Sequence, residues 1–348
     1  MEKLGYAVIG LGAISQQAVL PAFAHSENAR LIAVVSGDRE KAERVAREFH
    51  APWHYTYAQF AECLKNPEVE AVYIATPPGE HERFTVAAAR AAKHVLCEKP
   101  LAATVEQCRR MVRACRDRRV QLMTAYRKYF EPASVALKQI IRSGEIGRVD
   151  IIHTAFTEFR PAGDSTPAWM FDRKLSGGGP LMDIGIYCVN TCRWLIEEDP
   201  VEASAYRWSR DRKRFKQVEE GIAFRLRFKS GVLLQGTASW GSALASFVQV
   251  HGEKGWASLS PAFAFEEERR LTGKIAGRWF EKEFSAIDEF ALELDAFASC
   301  VRERRAPEPD GIQGMRDIAI LDAIYRAAKI GKPVAIRYPG ASSKRRKS

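Results

Sequence analysis

Between residues 4 and 126, five short apolar runs, "YAVIG", "LIAVVS", "AVYIAT", "HVLCE" and "QLMTAY", alternate with amphipathic stretches such as "EKAERVAREF" and "ERFTVAAARAA". Uninterrupted apolar runs of this length belong to strands covered on both faces, and a strand–helix–strand rhythm closes into a parallel, doubly wound sheet. No other feature restricts the fold as much. At 348 residues the chain also exceeds what one core usually holds, so a second domain is expected.

The character changes after residue 126. "PASVALKQIIRSGEIGRV" reads as an amphipathic helix that ends at Gly144 and leads into a strand, "VDIIHTAFTEF". The strand-like runs "VEASAYRW", "GIAFRLRF", "VLLQGTASW", "SFVQVHG" and "GWASLS" follow, separated by glycine turns such as "KSGV" and "GEKG". That is the pattern of an antiparallel sheet. Two closing helices near 288–304 and 312–330 and a short strand, "PVAIRY", complete the chain. The expected class is α/β. A doubly wound parallel domain spans 1–125, an α+β domain with a large, open, mostly antiparallel sheet spans 126–338, and a disordered basic tail spans 339–348.

The first strand runs into "GLGAIS", where Gly10 and Gly12 precede Ala13, Ile14 and Ser15. In a βαβ unit such glycines permit a tight turn and close backbone approach to a pyrophosphate, whose charge meets the helix N-terminus. The placement predicts a Rossmann domain that binds a nicotinamide dinucleotide. An NAD enzyme typically ends its second strand on an acid for the ribose 2'-hydroxyl. Here "VVSGDREKA" puts Ser36 there, with Asp38 displaced by two and Arg39 and Lys41 beyond. A hydroxyl and two cations suit a 2'-phosphate, so NADP is expected over NAD. Asp38 dissents, unless it points to solvent or caps the helix that begins "REKAERVA".

Distribution sets other classes aside. The net charge of +10 would suit a nucleic-acid binder, but four cations lie in the terminal "SSKRRKS" and more in "RDRKRFK" at 210–216, read as a solvated turn between strands. A basic patch needs a groove and stacking aromatics to bind nucleic acid. No apolar run approaches the ~20 residues of a membrane span, and no export signal precedes "LGYAVIGLG", so a cytoplasmic protein is expected. The seven cysteines form no CxxC pair and the histidines no HxxxH or HExxH, which argues against a metal site. His153 and His251 read as satisfied sheet residues.

Two stretches carry chemistry. "CEKPLA" at 97–102 ends the fourth run and puts Lys99 at the carboxyl edge of the sheet, where such sheets bind ligands. "GGGPLMDIGIYCVN" at 177–190 puts Asp183 and Tyr187 at i,i+4 on one helix face. Its three glycines read as granting close approach to cofactor and substrate.

Together with "ATPPGEH", "SGEIGRV" and "DAIYRAAKIGKPV", these stretches resemble the glucose–fructose oxidoreductase / inositol dehydrogenase / rhizopine catabolism family (Gfo/Idh/MocA) over essentially the whole chain. "SGDREKA", "AYRKYFEP" and "KLSGGGPLMDIGIYCVN" are most similar to its glucose–fructose oxidoreductase branch. The resemblance implies a Rossmann domain followed by an open sheet used for oligomer contacts, in a homodimer or homotetramer. It assigns Lys99 and Asp183 to the active site and makes Tyr187 the proton carrier, where many relatives have histidine. A free tyrosine titrates near 10, and a neighbouring lysine cation favours the phenolate. Asp183 would orient the lysine or a sugar hydroxyl. Thr76, Pro77, His81 and Glu98 are expected near the cofactor, since "ATPPGEH" and "CEKP" end adjacent strands. Tyr126, Arg127 and Trp169 are expected to touch substrate, with Asp172 and Lys174 flanking, while Met170 stands where the branch leads one to expect arginine.

The activity implied is hydride transfer between nicotinamide C4 of NADP and C1 of a pyranose aldose, giving a lactone, with Tyr187 as acid/base. Reduction of a second sugar would require retained NADPH, and a first strand so near the N-terminus predicts a shorter cover, hence a dissociable cofactor or one retained by other contacts. The alternatives are a dihydrodiol or D-xylose dehydrogenase with dissociable NADP and, from another class, a non-catalytic NADP-binding regulator. "YRAAK" at 325–329 fits the YxxxK pattern of short-chain dehydrogenases but lies on the last helix, where it reads as an amphipathic face.

Overall fold

A computed structural model of the chain describes residues 2–265 and 267–339, so all but the first residue of the expected tail lies outside the described residues. Six parallel strands form the first sheet: β1 (Leu4–Ile9), β2 (Ala29–Ser36), β3 (Trp53–Thr56), β4 (Ala71–Ile74), β5 (His94–Glu98) and β6 (Leu122–Ala125). Their order is β3-β2-β1-β4-β5-β6. Every residue of β1 and β4 is buried, as continuous apolar runs require. β3 is an addition to the five expected strands. Its Trp53 and His54 are exposed at the sheet edge, so it lacks an apolar run. The strand order reverses between β1 and β4, which opens a crevice at their carboxyl ends.

The second sheet has nine strands: β7 (Val149–Phe159), β8 (Pro200–Trp208), β9 (Gly221–Phe228), β10 (Leu233–Ser239), β11 (Gly241–Gly252), β12 (Gly255–Ser260), β13 (Arg269–Ile275), β14 (Arg278–Phe284) and β15 (Val334–Ala335). Their order is β14-β13-β12-β11-β7-β10-β9-β8-β15, antiparallel except where β10 runs parallel to β7. β13 and β14 were not expected, because charges interrupt "RRLTGKI" and "RWFEKEF". The even-numbered residues Ile152, Thr154 and Phe156 of β7 are buried under the helix Ile186–Ile196. The odd face carries His153 and His251, edge to face at 5.7 Å, within the sheet as expected.

The helix Glu289–Arg302 returns to the first sheet. Its Phe290, Leu294 and Phe297 share a core with Leu4, Tyr6 and Val8, and the Tyr6 hydroxyl donates to the Leu294 carbonyl at 3.2 Å. A boundary at 125 therefore separates the two sheets but not the packing. The same helix brings Glu289 to a buried cluster in which Arg127, Lys128 and Arg269 converge on its carboxylate, Lys128 at 2.9 Å. Burial, then the Arg127 charge, pushes Lys128 down to about 7. All seven cysteines are buried and unpaired.

Candidate active site

Gly10 closes β1 in a left-handed conformation, φ +92°, and a Cβ there would stand 2.6 Å from the Ala75 carbonyl oxygen. Only glycine lets the loop after β1 lie against the loop after β4. A Cβ on Gly12 would meet nothing within 4 Å, so this loop presents bare backbone to open space. The Ser15 hydroxyl donates to the Gly10 carbonyl at 2.5 Å and braces the turn. The helical stretch 13–25 starts here, with a π-helical turn at Ser15–Val19. The first N–H groups of a helix lack intrahelical partners, and bare glycine in front of them suits a pyrophosphate. At the end of β2, Ser36 is buried and its hydroxyl accepts from the Asp38 N–H at 3.2 Å. Asp38 accepts from the Lys41 N–H at 3.1 Å and caps the helix Arg39–Glu48. The dissenting acid is thus engaged, and Arg39 stays exposed beside Ser36.

The loops after β4 and β5 are tied together by two buried residues. His81 is buried, with Nε2 2.7 Å from the Thr76 carbonyl oxygen and Nδ1 3.1 Å from that of Leu101. Burial pushes its imidazole down to about 4. His81 fastens the two loops together. Glu98 is buried as well; it accepts from Tyr73 at 2.8 Å and from the Lys99 N–H at 3.1 Å, beneath the crevice. Thr76 and Pro77 keep their place, in the loop that Gly10 abuts.

Lys99 follows β5 and reaches across to the second domain. Its Nζ donates to the Asp183 carbonyl at 2.8 Å, lies 3.6 Å from Asp183 Oδ1, and stands 4.9 Å from the centre of the Tyr187 ring. Burial works against the ammonium, but Tyr187, Asp183 and Glu98 together more than offset it, so Lys99 titrates above the ordinary lysine value. Lys99 is therefore a fixed cation, not a proton acceptor. Asp183 sits in a second π-helical turn, Leu181–Gly185, and Tyr187 in the first turn of the helix after it. The Tyr187 ring stacks on Phe263 and tilts against Phe156, each at 5.9 Å. The Arg127 guanidinium lies 5.4 Å from the same ring, held by Glu289 and by the Phe263 carbonyl at 2.6 Å.

Tyr126 does not join this group. It is 1% exposed, its ring stacks on Tyr129, and its phenol is pushed up by burial and then by Asp317 on the last long helix. The backbone turns at residue 126, so the neighbours Tyr126 and Arg127 serve different clusters. Trp169 is half-buried on the turn Ala168–Phe171, while Asp172 caps the helix Arg173–Ser176 through the Lys174 N–H at 2.9 Å.

The three glycines face protein. A Cβ on Gly178 would overlap the Tyr325 hydroxyl, and one on Gly179 would overlap the Glu219 carbonyl. One on Gly177 would stand 2.5 Å from Met182 Cε and 3.1 Å from Ala103 Cα. The buried Glu219 carboxylate accepts from the N–H groups of Gly179 and Leu181 at 3.2 and 3.1 Å and from Tyr325 at 2.8 Å. The glycines thus seat the π-turn on a carboxylate, and Tyr325 of "YRAAK" is part of the seat.

Arg160 and Glu158 were not among the expected residues. Arg160 pairs with Asp183 Oδ2 at 3.0 Å and also with Glu158. The only signal was positional: both continue the inward row Thr154, Phe156 past the core. Nor is "RDRKRFK" merely solvated, since Phe215 is buried and Arg214 donates to the Arg160 carbonyl at 2.5 Å.

Comparison with known proteins follows the same division. A model of the NAD-binding Rossmann fold of the GFO_IDH_MocA oxidoreductase family matches residues 4–126, and one of its C-terminal domain matches 134–258. D-xylose 1-dehydrogenase [NADP(+)] of Haloarcula marismortui is 35% identical over 95% of this chain and 92% of its own. Trans-1,2-dihydrobenzene-1,2-diol dehydrogenase of Mus musculus is 30% identical over 75% and 76%. Among solved structures, aldose-aldose oxidoreductase from Caulobacter crescentus, complexed with glycerol, superposes with a TM-score of 0.91 at 36% identity, covering 96% of this chain and all of that one.

Proposed function

The chain belongs to the Gfo/Idh/MocA oxidoreductase family, and on that premise we propose that it is an NADP-dependent sugar oxidoreductase acting on C1 of a pyranose aldose. The observation that carries this reading is the meeting of Lys99, Asp183 and Tyr187 at the carboxyl edge of the parallel sheet. Relatives named for NADP-linked oxidation of xylose and for aldose–aldose transfer support the substrate class.

The dinucleotide fits the residues present. Gly10, Gly12, Ala13 and Ile14 would hold its pyrophosphate, and Ser36, Arg39 and Lys41 the 2'-phosphate, with Asp38 engaged in its cap. Bound there, the nicotinamide supplies the hydride acceptor. The chain's own residues manage the proton and the orientation. Tyr187 accepts the proton of the C1 hydroxyl as C1 becomes the lactone carbonyl. Lys99 holds a cation against the Tyr187 ring, and Arg127 adds a second on the same ring. Asp183 orients Lys99 and a sugar hydroxyl. The aromatic floor of Phe156 and Phe263 excludes water beneath Tyr187.

A screen of aldoses and polyols with NADP and with NAD, followed by absorbance of the reduced cofactor, tests the reading. Lactone formation from an aldose with NADP is expected; activity on dihydrodiols but not on aldoses would favour the alternative that the mouse relative suggests. Dinucleotide-free purified protein would exclude retained cofactor and with it a second, reducing half-reaction. Association through the outer face of the nine-stranded sheet, where Tyr206 is exposed, is the expected oligomer contact, and sedimentation of a Tyr206→Glu variant tests it.

A further inference from the structure

Asp183 carries a cation on each carboxylate oxygen: Lys99 lies 3.6 Å from Oδ1 and Arg160 3.0 Å from Oδ2. Arg160 in turn bridges two acids, because the same guanidinium holds Glu158. It is fixed from several other directions. Its N–H donates to the Trp240 carbonyl at 2.9 Å, its guanidinium lies 4.7 Å from the centre of the Trp240 ring, and Nη1 is 3.2 Å from Met170 Sδ. Its carbonyl is bound by Arg214, which pairs with Asp164 at 2.9 Å. Yet Glu158, Arg160 and Asp183 keep side-chain exposures of 33, 20 and 27%, so all three border the cleft.

We propose that Arg160 is a positioning residue whose charge keeps Glu158 and Asp183 side by side as two carboxylates, so that both can accept hydroxyls of the sugar next to Lys99 and Tyr187. Two carboxylates in one site repel, and one takes a proton unless a cation lies between them. The planar fork of a guanidinium serves two acceptors at once, which a point charge does less well. Lys99 also holds the Glu158 carboxyl down, but less than Arg160 does, and its ammonium is engaged with the Asp183 carbonyl and the Tyr187 ring. The other charged or titratable groups facing the pair are Glu98 at the end of β5, Arg127 beyond Tyr187, and Arg214 with Asp164 behind Arg160. Burial already pushes the Glu158 carboxyl up, and the Arg160 charge is the largest influence holding it down, with Asp183 opposing. The chain of alternating charges Lys99, Asp183, Arg160, Glu158 thus gives the cleft one wall with two anionic acceptors. This inference rests on the sugar reading for its substrate but not for its electrostatics.

The test compares wild type, Arg160→Met and the double variant Glu158→Gln/Arg160→Met. With an aldose and NADP, Arg160→Met should move the acid limb of kcat/KM to higher pH by about one unit or more. The double variant should bring it back toward wild type. Melting temperatures without substrate supply a second readout. With Arg160 gone, the folded-state value of Glu158 rises further above its unfolded value, so the stability it contributes is present at low pH and lost as pH rises. Arg160→Met should therefore lose more stability at about pH 8 than at about pH 5, and the double variant should lose that pH dependence. A stability deficit independent of pH in Arg160→Met, or one that persists unchanged in the double variant, overturns the proposal. Should wild type oxidise no sugar, the functional reading fails, while the melting data still decide the role of Arg160.

Discussion

The Lys99 ammonium stands 4.9 Å from the centre of the Tyr187 ring and 3.6 Å from Asp183 Oδ1. One cation thus serves the phenol and the acid of the neighbouring helical turn, which gives the three residues distinct tasks.

Tyr187→Phe keeps the ring stacked on Phe263 and removes only the hydroxyl. Turnover of an aldose should fall by about 10²–10⁴-fold, the usual worth of a positioned acid/base. NADP affinity, followed by fluorescence quenching, should stay near wild type. Unchanged turnover would remove Tyr187 from the mechanism.

Arg39→Ala with Lys41→Ala bears on the cofactor. Charge-assisted hydrogen bonds to phosphate are worth about 1.5–3 kcal/mol each, so losing two should drop kcat/KM with NADP by about hundredfold or more. The value with NAD should barely move. An equal loss with both cofactors would place the 2'-phosphate elsewhere.

Tyr325→Phe separates seat from site. The variant leaves the buried Glu219 carboxylate without one of its donors, at a cost of about 1–3 kcal/mol. A lower melting temperature with kcat near wild type is expected. Loss of kcat at unchanged stability would restore the short-chain-dehydrogenase reading of "YRAAK".

The buried Lys128 gives a pH signature of its own. Its folded value, about 7, lies below the ordinary lysine value, so between the two the unfolded chain binds more protons and stability rises with pH. The difference in melting temperature between wild type and Lys128→Met should therefore widen from pH ~7 to pH ~10. A constant difference across that window would show Lys128 to be an ordinary cation.

Lys99, Asp183 and Tyr187 were legible because each lies in a local pattern: a strand end before proline, and an i,i+4 pair on one helix. Arg160 and Glu158 were not, because their value depends on which strand neighbours which. β7 occupies the middle of the second sheet, between β11 and β10, and no residue of "VDIIHTAFTEF" announces that order. Tyr126 misled for the opposite reason. It sits beside the right motif, but a backbone turn directs its side chain into protein. The glycines were read correctly as marks of close approach, and the approaching partner turned out to be Tyr325 and Glu219.

The two π-helical turns, Ser15–Val19 behind the glycine loop and Leu181–Gly185 under Asp183, have a genetic consequence. Each is in effect an α-helix with one residue inserted, and one residue rotates a helix by about 100°. Loss of the codon for Ile184 or Gly185 would let that helix run regularly and swing Asp183 around the axis relative to Tyr187, while leaving the sequence from Ile186 onward unchanged. The smallest in-frame deletion is thus also one of the most selective, able to disarm the site while sparing the body of the protein, and the reverse insertion could arm a silent relative in one step.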